Sequence, residues 1–168
     1  MKLTEMFLAD LDREAPRTVR ALEQVPTGHD DWVPHARSMP LGRLAALVAT
    51  MPSWISLIVD QDQLDLTPAA GAGKWDPPPT SGLVAAHDAL VTKARASLAK
   101  VTDDYLLTTK WRLIAGGKVV ANDPRHIVLR DTLMHLSHHR GQLTVYLRLL
   151  EQKVPAIYGP SADDQRFS

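Results

Sequence analysis

Three histidines fall within five positions of the stretch HLSHHRGQL, residues 135 to 143. An imidazole near neutral pH is both a ligand for divalent metals and a proton carrier. On a helix at about 100° per residue, His135 and His139 project only about 40° apart and one turn above each other, so both rings reach a single ion. Taking Val128, Leu136, Leu143, Tyr146 and Leu150 as the core face, His139 lies within it and His135 at its edge. His138 turns away, toward Met134, Val145 and Leu149, and is the poorest ligand of the three. A solvated or hydrogen-bonded surface pair is the commoner reading of the same spacing, so spacing alone does not establish a metal site. Gln142 is placed either to bond the second nitrogen of a ligand histidine or to be a plain surface amide. Arg140 is expected to pair with a carboxylate or cap a loop, Gly141 to permit close helix packing, and Tyr146 to be a core tyrosine or to present its hydroxyl to a cavity.

Composition limits the chemistry around these residues. The 168 residues contain no cysteine, which removes disulfides, thiolate ligands and a cysteine nucleophile and leaves imidazole and carboxylate as metal donors. Acidic and basic residues balance at 19 each, and with no basic stripe the chain is expected to bind neither nucleic acid nor an anionic membrane. Asp10, Asp12 and Arg13 interrupt the N-terminal region too early for a signal-peptide core, and no apolar run approaches the roughly 20 residues of a bilayer span. A cytoplasmic, single-domain protein covering residues 1–168 is expected.

Four amphipathic segments must position the histidines. Residues 4 to 24 repeat Phe7, Leu8, Leu11, Ala15, Val19 and Leu22 at helical spacing, with Thr4 as a cap and a possible kink at Pro16. A proline-punctuated loop anchored by Trp32 precedes a second helix from Pro40 to about Asp60, bent at Pro52. Residues 61 to 80, rich in proline and glycine, read as a long crossover in which Trp75 packs. A third helix spans about Ser81 to Lys100 with His87 on its apolar stripe, and TTKWRLIAGGKVV suggests a small hairpin around Gly116 and Gly117. The fourth helix runs from Asp123-Pro124 to about Gln152, before a tail expected to lay Tyr158 against the bundle end. The pattern predicts an all-α four-helix bundle.

The stretch HLSHHRGQLTVYLRLLEQKVPAIYGPSADD resembles the end of the DinB family, in which His-x-x-His-His-Arg-Gly-Gln-Leu is followed by a Val-Pro-x-x-Tyr-Gly-Pro-Ser-Ala-Asp tail. FLADLDREAPRTVRALEQVP, DWVPHARSMPLGRLAALVATMPSW and HDALVTKARASL extend the resemblance over nearly the whole chain. It implies an up-down-down-up bundle, often a homodimer, holding a divalent metal such as zinc or nickel on one histidine of the second helix and two of the fourth. It also implies relatives that are low-molecular-weight thiol S-transferases or mycothiol-dependent isomerases, hence a metal-dependent transferase or hydrolase acting on a small molecule or thiol.

Carried onto this chain, the resemblance assigns two ligands to His135 and His139. The second-helix position falls within Leu44-Ala45-Ala46-Leu47-Val48-Ala49, where Leu47 stands in place of the histidine. Leucine has no donor, and a catalytic zinc site uses three protein ligands, so weak or absent metal is expected. His87 is the candidate replacement, against the alternative of a core histidine satisfied by a backbone carbonyl or by a side chain such as Asp88 from a neighbouring subunit. His29 and His35 lie in a loop, and His126 lies more than two turns before His135. The competing expectation is a non-catalytic bundle that has lost metal and binds a small molecule or acts through dimerisation.

Overall fold

The computed structural model describes residues 2–67 and 76–166, so the packing expected of Trp75 lies outside the described residues. Helix α1 spans Leu3–Leu22, running through Pro16 and burying Phe7, Leu11, Glu14, Thr18, Ala21 and Leu22. Its cap differs from expectation. The Asp103 carboxylate accepts from the backbone N–H groups of Leu3 and Thr4 at 2.8 and 2.9 Å, and the Thr4 hydroxyl donates to it at 3.0 Å. A distant carboxylate thus satisfies donors that the helix start leaves unpaired.

The second amphipathic segment is two helices, α2 (Leu41–Thr50) and α3 (Pro52–Asp60), meeting at a 45° bend. Pro52 has no N–H to continue the ladder and begins the new helix at its first position. A 3-10 turn at Thr80–Gly82 leads into α4 (Leu83–Leu98), and α6 spans Arg125–Leu149. The short α5 (Asp103–Thr108), absent from the sequence reading, starts on the Thr102 hydroxyl, which accepts from the Tyr105 N–H at 3.2 Å.

Side-chain contacts fix the helix directions. Trp54 meets His135, and the Tyr146 hydroxyl donates to the Met39 carbonyl at 3.1 Å, so α6 runs antiparallel to α2 and α3. Ser97 donates to Asp60 at 2.8 Å and His87 bonds Ala49, which gives α4 the same sense as α2 and α3. Arg95 pairs with Asp12, while Glu14 pairs with Arg140 and Phe7 meets Leu129 and Leu133. The order is therefore up, down, down, up.

The chain is mostly helical, but the all-α expectation needs correction. A three-stranded sheet is present, ordered β1 (Gln63–Asp65), β2 (Lys110–Ala115) and β3 (Lys118–Pro124). Strands β2 and β3 form the expected hairpin, turning through Gly116 and Gly117 at φ 56° and 72°, a backbone that favours glycine. The third strand comes from the crossover and pairs parallel to β2, with Leu64 opposite Leu113. This sheet closes over one end of the bundle, where Trp111 joins Phe7, Ile55, Leu106 and Leu129 in one apolar cluster. A second cluster gathers α2 with Leu136, Leu143 and Leu147 of α6. Trp54 packs against both. Among the described residues no single helix is long and apolar enough to cross a membrane.

Candidate functional site

The face that α6 buries is Arg125, Leu129, Thr132, Leu136, Arg140, Leu143 and Leu147. This is rotated from the expected one, since Val128, Tyr146 and Leu150 are only half-buried. The rotation has a chemical reason: two arginines belong to the interior because partners await them. Arg125 donates to the carbonyls of Ile58 and Gln61 at the end of α3 and pairs with Asp62 at 2.7 Å. Arg140 pairs with Glu14 at 2.5 Å.

His135 and His139 consequently lie on the flank of α6, both half-buried, with the His135 ring edge-on to Trp54 at 5.4 Å between centroids. Their Nε2 atoms are 2.8 Å apart, and His139 Nδ1 is 2.8 Å from Gln142 Oε1. Since a carbonyl oxygen only accepts, His139 carries its proton on Nδ1 and its Nε2 accepts from His135 Nε2–H. Burial, then the nearby His139 and His138 rings, hold the His135 pKa below the usual imidazole value. His138 is exposed, its ring tilted edgewise to His139.

This donor set does not fit the three-histidine ion. Two imidazole nitrogens on a tetrahedral zinc, with bonds of roughly 2.0–2.1 Å, stand about 3.3 Å apart. At 2.8 Å the two nitrogens share an N–H···N hydrogen bond, and the pair supplies two donors where such an ion takes three. Between the Trp54–His135 and Met39–Tyr146 contacts, the antiparallel register sets Leu47 level with the turn carrying His139 and Arg140. Among the described residues, no group of three His, Cys, Asp or Glu side chains is arranged to hold a metal. His87 is fully buried with Nδ1 at 3.1 Å from the Ala49 carbonyl, and is not gathered with the pair. His29 and His126 face backbone carbonyls at 3.1 and 3.2 Å, and His35 Nδ1 accepts from the Arg37 N–H.

A DinB family model matches residues 4–166. The chain belongs to the DinB family. DinB-like solved structures share its fold: a protein from Bacillus cereus at 23% identity and TM-score 0.69, covering 92% of this chain and 97% of its own; and YjoA from Bacillus subtilis at 16% and 0.67, covering 96% and 99%. A putative DinB member from Exiguobacterium sibiricum aligns at 16% identity and 0.60, covering 90% and 93%. The uncharacterized protein YrdA of Bacillus subtilis is 42% identical over 41 residues, a stretch covering 24% of this chain and 25% of that relative.

The expectation that Arg140 pairs with a carboxylate holds, but its partner Glu14 and the cavity beside His135 were not foreseen. Glu14 sits on the buried stripe Phe7, Leu11, Glu14, Thr18, and Arg140 falls between Leu136 and Leu143, so a charge inside each apolar stripe was the available signal. Tyr158 of the tail joins them, its hydroxyl bonded to Glu14 at 2.9 Å, Arg140 at 2.6 Å and Ser137 at 2.8 Å. Tyr158 thus joins α1 and α6 at the level of Glu14, Ser137 and Arg140, part-way along the helices and not against the bundle end as expected. The other missed part is a cavity beside His135, walled by residues of α3, β1, β2 and α6. No signal in any one segment points to it.

Proposed function

We propose that this DinB protein is a metal-independent homodimeric bundle that binds a small molecule, its histidine pair being what remains of a metal centre one donor short. The observation that carries the reading is the missing third donor: Leu47 stands level with the pair, and among the described residues no group of three His, Cys, Asp or Glu side chains is arranged to hold a metal. Two imidazoles completed by solvent hold a divalent ion loosely. A second reading, a zinc- or nickel-dependent transferase or hydrolase of the thiol S-transferase type, is favoured by Gln142, which orients His139 as outer partners orient metal ligands. It needs a third donor, and Leu47 supplies none.

Elemental mass spectrometry on protein purified without a histidine tag, beside the Leu47→His variant, separates the two. The expected result is metal far below one equivalent in the native chain and near one equivalent in the variant. Near-stoichiometric metal in the native chain would overturn the proposal in favour of the enzyme.

A further inference from the structure

We draw no further inference here: the strongest candidate, the cavity beside His135 walled by α3, β1, β2 and α6, belongs to the site already described, and nothing in the structure shows what fills it.

Discussion

The Arg140 guanidinium is 1% exposed and is surrounded by acceptors: the Glu14 carboxylate, the Glu14 carbonyl, the Thr18 hydroxyl and the Tyr158 hydroxyl. Burial alone raises the Glu14 pKa, but the Arg140 charge and the hydrogen bonds from Arg140, Arg17 and Tyr158 outweigh it, and the net shift is downward. A carboxyl depressed in the folded state contributes stability above its ordinary value of 4.5, and that contribution is lost as pH falls through the acid range. Arg140→Met removes the more buried of the two cations on Glu14 and leaves Arg17 at 2.7 Å as the other, so it is expected to cost about 1–3 kcal/mol in urea unfolding at pH 7. Adding Glu14→Gln to it is expected to recover part of that loss. The single variant is also expected to lose less than the native chain on acidification, because protonation of Glu14 then breaks one ion pair, with Arg17, instead of two. A steeper acid loss in Arg140→Met would count against this account.

The break between α2 and α3 explains His87. Met51 and Pro52 interrupt the ladder, and the Ala49 carbonyl before the break is taken by His87 Nδ1–H. The groups around the ring are the Ala49 and Ala15 carbonyls, Asp88 and Arg140. Burial dominates them and lowers the His87 pKa below 6.5. The unfolded chain therefore takes up this proton first, and stability held above 6.5 declines as pH drops. His87→Leu is expected to cost about 1–3 kcal/mol at pH 7.5 by orphaning the Ala49 carbonyl. It should also flatten the stability profile between pH 7 and 5, measured by urea unfolding. An unchanged slope would show that the acid loss arises elsewhere. Long elements were the legible ones, since α1, α4, α6 and the break at Pro52 follow from period and proline, and the hairpin follows from Gly116-Gly117. The six-residue α5 and the three-residue β1 are too short to show a period, and β1 exists only by pairing with β2. The same logic divides the site. His135 and His139 meet because one helix spaces them, whereas the cavity is built from four elements whose association no local pattern encodes.

Seen as a whole molecule, the outer side of α6 is left without a cover in the single chain. Met134, Val145 and Leu149 are 60%, 57% and 55% exposed along one strip, and Gly141 lies between them. The glycine was expected to permit close helix packing, and within the single chain a Cβ added there meets nothing within 4 Å. An exposed helix glycine costs roughly 0.5–1 kcal/mol relative to alanine, so its place in the strip is better matched to a helix from a second copy. The balance of 19 acidic and 19 basic residues sets no net repulsion between copies. In the proposed dimer a two-fold axis near Gly141 would bring Met134 of one copy toward Leu149 of the other, an isologous contact of the usual dimer kind. Sedimentation equilibrium at tens of micromolar is expected to give twice the 18.5 kDa chain mass. Val145→Glu is expected to return the protein to a monomer with its helical circular dichroism intact, because that side chain supports nothing inside the bundle. Gly141→Leu is expected to weaken the dimer while leaving monomer stability within about 1 kcal/mol or raising it, since it replaces a poor helix former. A native chain that sediments as a monomer throughout, or a Val145→Glu chain that stays dimeric, would remove this face from the assembly.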